Sequence, residues 1–215
     1  MTLALRLAGR EMRGGLSGFR VLILCLALGV AAIAAVGTLR AAIERGLTDQ
    51  GTVILGGDAE VEFTYRRADR EELDWITAKS RAVSEVLSFR SLAVVEGDQA
   101  LTQVKAVDGA WPLLGAVKLD RGDLASAFSA KDGLPGAIME PLLADRLGLK
   151  VGDRFKMGLQ EFHLGALMLS EPDSATAGIG FAPKTVVQSA DLAQSGLLAP
   201  GSMYESHYRM LTGLD

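Results

Sequence analysis

The sequence predicts an α+β protein: one N-terminal transmembrane helix, then a mixed α+β domain outside the cytoplasm that carries a small β-rich lobe. Three observations carry this. Val21 to Leu39 reads VLILCLALGVAAIAAVGTL, 19 residues without a charge between Arg20 and Arg40. Beyond it, segments with helical spacing alternate irregularly with segments of period two, so no regular βαβ repeat emerges. The charge is also lopsided. Arg6, Arg10, Arg13 and Arg20 against Glu11 leave residues 1–20 at +3, so the rest of a chain of net charge −4 carries −7.

The apolar run comes first. At 1.5 Å per residue it makes a helix of roughly 28 Å, close to the thickness of a bilayer's hydrocarbon core. Ala32-Ile33-Ala34 offers the small-x-small pattern of a signal-peptidase site, which leaves a cleaved signal as the competing reading. Apolar residues run past that site, however, and Leu39, Ile43 and Leu47 continue at helical spacing, which favours one unbroken anchor. The arginines precede the span, whereas Arg40 and Arg45 after it are diluted by Glu44, Asp49, Asp58, Glu60 and Glu62; the N-terminus is therefore expected to be cytoplasmic. Ala27, Gly29, Ala31, Ala32, Ala34, Ala35 and Gly37 make the second half of the span small. Small residues permit close approach to other membrane helices, although alanine is also simply common. Arg6, Arg10 and Arg13 share one helical face opposite Leu3 and Leu7, as in an interfacial helix or a basic tail, and Gly14, Gly15 and Gly18 give a turn into the span.

The domain boundaries expected are a cytoplasmic or interfacial segment 1–20, a transmembrane helix 21–39, a stalk extension 40–57 ending near Gly51 and Gly56, and a core domain 58–215. Ala59 to Phe63 alternates as a strand. Asp69 stands three residues before Glu72, a capping box for a helix from about Arg70 to Ser80 with Leu73 and Ile76 inward. Val83–Val95 and Gln99–Asp108 are two strands joined through Glu96-Gly97-Asp98. Ala110–Leu113 and Lys118–Gly122 form an irregular connection. Met139 to Gly148 reads as a short helix, with Pro141 suited to its first turn and Gly148 to its stop. A turn at Lys150–Asp153 leads to strands at 154–157, 162–169 and 185–188, a helical turn at 190–194 and a last strand at 204–211. The β-rich lobe is expected around 134–190.

The search for chemistry is nearly empty. No basic face remains for phosphates, so nucleic acid is not an expected partner. The single cysteine, Cys25, excludes an internal disulfide. Glu161 and His163 share a strand face, but no third ligand joins them and a solvated strand face explains both. Asp69, Glu71 and Glu72 are accounted for by helix capping and the helix dipole. No serine sits in a nucleophile elbow, and Gly178-Ile179-Gly180 lacks the third glycine of a dinucleotide site. No catalytic, cofactor-binding or metal residue is assigned, no cofactor is expected, and the chain reads as a non-enzyme.

Four segments carry a resemblance. They are Leu5-Arg6-Leu7-Ala8-Gly9-Arg10-Glu11 before the span; Gly56-Gly57-Asp58-Ala59-Glu60 after it; Glu140-Pro141-Leu142-Leu143 through Leu147-Gly148-Leu149-Lys150-Val151-Gly152-Asp153; and Leu197-Leu198-Ala199-Pro200-Gly201-Ser202. In this order the chain resembles the N-terminal part of an FtsX/MacB-type ABC transporter permease, nearest to the large permeases encoded beside a lysophospholipase/thioesterase and an ATPase. The resemblance implies an inner-membrane subunit with a periplasmic core domain between its first two membrane helices. It implies a separate cytoplasmic ABC ATPase subunit as partner, whose work the permease relays to the periplasmic side, on export or on lipid- or lipoprotein-type substrates. Its other partners would be the lipid bilayer and further membrane helices, from a C-terminal part of the same permease or from a second copy. Family permeases have at least four membrane helices, so this chain is expected to be a truncated product or a fragment with an incomplete core domain. The competing function is a single-pass, membrane-anchored periplasmic binding or adaptor module.

Overall fold

The computed structural model describes residues 16–173, 182–199 and 201–213, with the side chains of 16–18, 44–50 and 52–54 outside the description. Residues 1–50 and 51–215 form two compact units. The expected face of Arg6, Arg10 and Arg13 lies outside the described residues.

Helix α1 runs unbroken from Leu16 to Leu55. Gly18 is therefore inside it and makes no turn, because glycine costs an apolar helix only about 1 kcal/mol. Within it, the 25 residues Phe19–Ile43 are long and apolar enough to cross a membrane. Thr38 returns its hydroxyl to the carbonyl of Ala35 at 2.9 Å, which satisfies the span's one hydroxyl inside the helix. Gly51 does not stop the helix; Gly56 does, at φ +76°, the left-handed conformation that closes a helix C-terminus.

The second unit begins with β1 (Ala59–Thr64), helix α2 (Arg70–Ala78) and β2 (Ala82–Val95). The capping box is present: Asp69 accepts from the Glu72 amide at 2.9 Å and Glu72 from the Asp69 amide at 2.8 Å. Ile76 is buried as expected, at 1% exposure, whereas Leu73 is 41% exposed. The last strand, β9 (Glu205–Leu211), inserts antiparallel between β1 and β2, so β1 and β2 run parallel with α2 as their crossover. Ile76, Tyr208 and Met210 form the core of this layer, with Val61 and Phe63 against them.

The β-rich lobe is a closed barrel. β2 pairs with β3 (Asp98–Val107), β3 with β8 (Lys184–Gln188) and β8 with β5 (Gly136–Met139). β5 pairs with β7 (Gln160–Ser170), β7 with β6 (Arg154–Met157), and β6 closes the circuit onto β2 through Ala93 and Met157. The lobe thus extends beyond 134–190 and takes in the β2–β3 hairpin, whose two-residue loop has positive φ at Glu96 (49°) and Gly97 (100°), the type I′ geometry. Leu87, Val104, Val187, Ala137, Phe162 and Phe155 bring one side chain from each strand into a single core. Helix α4 (Pro141–Arg146) packs Leu143 into the same core. Met139, expected in that helix, is instead the end of β5. The connection expected to be irregular contains the short strand β4 (Lys118–Leu119) on β7 and is followed by helix α3 (Leu124–Phe128). The α3 backbone lies directly on β5 and β7: a Cβ at Gly165 would sit 2.0 Å from the Ala127 carbonyl oxygen, so only glycine fits.

Candidate functional site

The layer β1-β9-β2 has two unlike faces because β-strands alternate. Val61, Phe63, Tyr208 and Met210 face α2. Glu60, Glu62, His207 and Arg209 face the other way, and the register sets Glu62 opposite His207 and Glu60 opposite Arg209. Glu60 accepts from His207 Nδ1 at 2.9 Å and from Arg209 Nε at 3.0 Å. Arg209 also donates to Asp173, which follows the end of β7. Asp173 accepts from Lys105 of β3 at 2.7 Å and from the Trp111 indole at 3.0 Å. Lys105 reaches Glu171 at 2.7 Å, and Glu171 is further held by Lys184 of β8. Lys105 lies 4.9 Å from the Trp111 ring centroid, a cation–π distance.

This is one continuous ionic network from β1 to β8, and its centre is dry: Lys105, Glu171, Asp173 and Arg209 have side chains at most 5% exposed. Gly56, the stop of α1, lies against it. A Cβ there would stand 2.9 Å from Asp173 Cβ and 3.1 Å from Arg209 Cδ, so Gly56 is required both by its positive φ and by the closeness of the ion pair.

The environment moves the titrations in consistent directions. Burial pushes the Lys105 ammonium down from 10.5 to about 8, against the pull of Glu171. Burial works to raise Glu171, but Lys105 and Lys184 outweigh it and hold the carboxyl below the usual carboxylate range. Burial also works to raise Glu60, and the bonds from His207 and Arg209 overcome it. Burial works to lower His207, yet Glu60 holds it above its ordinary value. Glu60 and Glu171 are therefore held ionised, each engaged by a cation. Such carboxylates stabilise a fold and do not act as general bases, which need a free lone pair aimed at a substrate.

Glu60, Glu62 and His207 bring donor atoms within 4.8 Å of one another, the kind of grouping that can hold a metal. A metal there would have to displace the hydrogen bond between His207 and Glu60 and share Glu60 with Arg209. Glu161 and His163, the pair weighed in the sequence, lie two apart on β7 but do not converge. Glu161 is exposed, while His163 is buried with Nε2 donating to the Ser129 carbonyl at 2.9 Å. Its Nδ1 has no hydrogen-bond partner in the protein among the described residues. Asp69 and Glu72 act as the cap. Two bonds from Arg66, at 2.6 and 2.7 Å, and the Asp69 amide hold the Glu72 carboxyl down to about 2.

An N-terminal apolar helix long enough to cross a membrane, a βαβ layer and a closed barrel define the class: an α+β domain with a β-barrel lobe behind an apolar helix. Residues 21–205 match the family of the MacB-like periplasmic core domain, and the chain belongs to that family. It is 26% identical over 186 residues to the uncharacterized ABC transporter permease YbbP of Escherichia coli (strain K12), covering 86% of this chain and 22% of that protein. The chain thus spans less than a quarter of the length of this curated relative. Among solved structures it is similar to the extracellular domain of the noncanonic ABC-type transporter YknZ from Gram-positive bacteria (11% identity, 71% of this chain and 83% of that chain, TM-score 0.47). It is also similar to the periplasmic region of MacB from Actinobacillus actinomycetemcomitans (9% identity, 75% and 78%, TM-score 0.47).

Proposed function

We propose that the chain is the N-terminal segment of an ABC transporter permease subunit, in which ATP hydrolysis by a separate cytoplasmic subunit drives work on the periplasmic side. The supporting observation is continuity. The family match begins at residue 21, inside the apolar span, and runs to residue 205 in the last strand, so span and domain belong to one family unit. The helix that supplies the span goes on without a break to Leu55. From Ile43 to Leu55 it adds roughly 18 Å at 1.5 Å per residue, and the lever reading is that this extension carries a displacement outward. The arginine asymmetry supports a cytoplasmic N-terminus and a periplasmic domain. The finer reading is a permease of the kind encoded beside an ATPase and a lysophospholipase/thioesterase, handling lipid- or lipoprotein-type substrates. Within it, residues 1–20 are the inner segment, 21–39 the span, 40–57 the stalk and 58–215 the core domain.

The test is Ile43→Pro in the full permease with its partner ATPase. Proline removes one helix hydrogen bond and clashes with the preceding turn, about 3 kcal/mol or more, and kinks a lever while scarcely disturbing a flexible tether. The expected result is normal membrane insertion with loss of permease-stimulated ATP turnover. Full stimulation by a normally inserted variant refutes the lever. Alkaline phosphatase fused after Asp215 should be active in a Gram-negative host; an inactive fusion refutes the orientation.

A further inference from the structure

On the polar face of the β1-β9-β2 layer one imidazole is surrounded by carboxylates. The His207 side chain is 8% exposed, and three glutamates reach it from two strands. Glu60 and Glu62 come from β1, and Glu205 lies two residues before His207 on β9. Glu62 is the directly opposed cross-strand neighbour, and donor atoms of Glu60, Glu62 and His207 lie within 4.8 Å of one another. Arg209 answers Glu60 and is shared with Asp173. Glu62 and Glu205 have no such cation. Among the described residues neither carboxylate accepts a hydrogen bond, and their one ion contact is that of Glu205 with His207 Nε2 at 3.8 Å.

The two ring nitrogens are placed differently. Nδ1 donates to Glu60 at 2.9 Å, and Glu60 is itself held by Arg209 Nε at 3.0 Å. That bond fixes the ring and its tautomer, so the lone pair of the neutral imidazole is at Nε2. A metal-binding histidine is built in this way: its far nitrogen donates to a carboxylate that orients the ring and raises its basicity. Nε2 makes no hydrogen bond among the described residues and is turned to Glu205. An ion at Nδ1 would cost the Glu60 bond, whereas an ion at Nε2 keeps it. We propose that His207 Nε2, Glu205 and Glu62 bind a divalent transition-metal ion of the Zn²⁺ class, with Glu60 as the positioning residue that orients the imidazole.

The donor set and the reach both suit this. An imidazole with carboxylates favours Zn²⁺ and its neighbours over Mg²⁺ or Ca²⁺, which take oxygen ligands. Three protein ligands leave the fourth position of a tetrahedral ion to water. With metal–ligand bonds of about 2.0–2.2 Å, two ligand atoms on one tetrahedral ion stand roughly 3.3 Å apart. The present contact of 3.8 Å is therefore close to that of a ligand pair. The Glu205 side chain is 54% exposed and Glu62 is exposed, so both can turn onto the ion without disturbing the core. The ring gives up any proton on Nε2 to the solvent as the ion takes the lone pair. Because the ligands come from β1 and β9, the ion ties the two strands together.

The test is metal binding by the whole chain in detergent, freed of metal with EDTA, then dialysed and titrated at neutral pH. Zn²⁺ is followed by calorimetry and Co²⁺ by its visible absorption. The expected result is one ion per chain. Glu62→Gln and Glu205→Gln alter exposed carboxylates that hold no hydrogen bond in the fold, so both variants should keep the wild-type circular dichroism. Each should weaken Zn²⁺ by roughly tenfold or more, and the double variant should abolish the Co²⁺ band. Glu60→Gln keeps an acceptor for Nδ1 without its charge; it should weaken binding by roughly 10–100-fold and retain the Co²⁺ band. Absence of binding at millimolar Zn²⁺ overturns the proposal. So does unchanged affinity in the folded double variant, which would place the ion at Cys25 or His163, and unchanged affinity in Glu60→Gln overturns the orienting role.

Discussion

Asp173→Ala should be among the most damaging single substitutions in the domain, and the structure sets its size. The carboxylate is 1% exposed and accepts from Lys105 at 2.7 Å, from the Trp111 indole at 3.0 Å and from Arg209. Removing it leaves Lys105 with Glu171 and Arg209 with Glu60, and strands the Trp111 indole N–H; breaking a buried pair in this way costs about 3–5 kcal/mol. Against a typical total of about 5–15 kcal/mol, that is a large share of the domain's stability. The assay is urea unfolding of the chain in detergent, followed by the fluorescence of buried Trp111. With a slope of about 2 kcal/mol/M, the midpoint should fall by about 2 M. The contrasting variant removes the charges together: Lys105→Met, Asp173→Leu and Arg209→Met. Glu171 then keeps Lys184, and Glu60 keeps His207, so no charge is stranded. Apolar replacement of a buried ionic group is often neutral or stabilising, so this triple variant should lie within about 1.5 kcal/mol of wild type. A fall of under about 0.5 M for Asp173→Ala, or a triple variant as damaged as the single one, refutes the account of the network as mutually neutralising.

Gly165→Ala forces a Cβ to 2.0 Å from the Ala127 carbonyl oxygen; it should cost about 3 kcal/mol in unfolding free energy and release α3 from the barrel, seen as faster amide exchange at 124–128. Asp69→Ala removes the cap acceptor for the Glu72 amide and should lower stability by about 1 kcal/mol in the same urea assay. The stability–pH profile should have its plateau between about 4.5 and 6.5. Glu60 and Glu171 titrate below the ordinary value of 4.5 when folded, so what they contribute is present above that pH and lost as pH falls through their folded values. His207 titrates above 6.5 when folded, so its contribution is full below 6.5 and lost as pH rises through its folded value. His207→Gln should flatten the alkaline limb and shrink the Glu60 part of the acid limb while leaving the Glu171 part in place; an unchanged alkaline limb refutes the assignment.

The parts of the fold legible in the sequence are those fixed by neighbours along the chain. The Asp69–Glu72 cap, the Glu96–Gly97 turn, Pro141 at the first turn of α4 and the apolar span each declare themselves within a few residues. Barrel closure was not legible, because it depends on Ala93 meeting Met157 across α3, β5 and α4, and no local pattern encodes that meeting. Leu73 shows the opposite error. Its helical spacing from Ile76 predicts burial, but this nine-residue helix buries Ile76 against the sheet and leaves Leu73 41% exposed. The ionic network escaped for a third reason. Glu60 and Glu62 alternate with apolar residues just as a solvated strand face does, and the cover over that face, Glu171 to Asp173, arrives from a distant turn. One signal was present. Val104-Lys105-Ala106-Val107 places a lysine in a run buried on both sides, where an unpaired ammonium is not tolerated.

A network of buried charges at this place has a consequence that an apolar filling would not have. β9 enters the sheet only after the whole barrel has intervened, and it must choose a register against β1 and β2 at once. Its sequence, Glu205-Ser206-His207-Tyr208-Arg209-Met210-Leu211, alternates large polar and apolar side chains. A slip of one residue would turn His207 and Arg209 onto Ile76 and carry Tyr208 and Met210 to the carboxylates. In the observed register every one of these groups meets its complement: Arg209 finds Glu60 and Asp173, His207 finds Glu60, and the Tyr208 hydroxyl donates to Glu85 at 2.6 Å on the opposite face. A buried ion pair adds little net stability compared with apolar packing, but a mispaired one costs several kcal/mol, so the network discriminates between registers far more strongly than it stabilises the right one. Gly56 lies against Asp173 and Arg209, so the register that these charges select also leaves room for a glycine alone at that position.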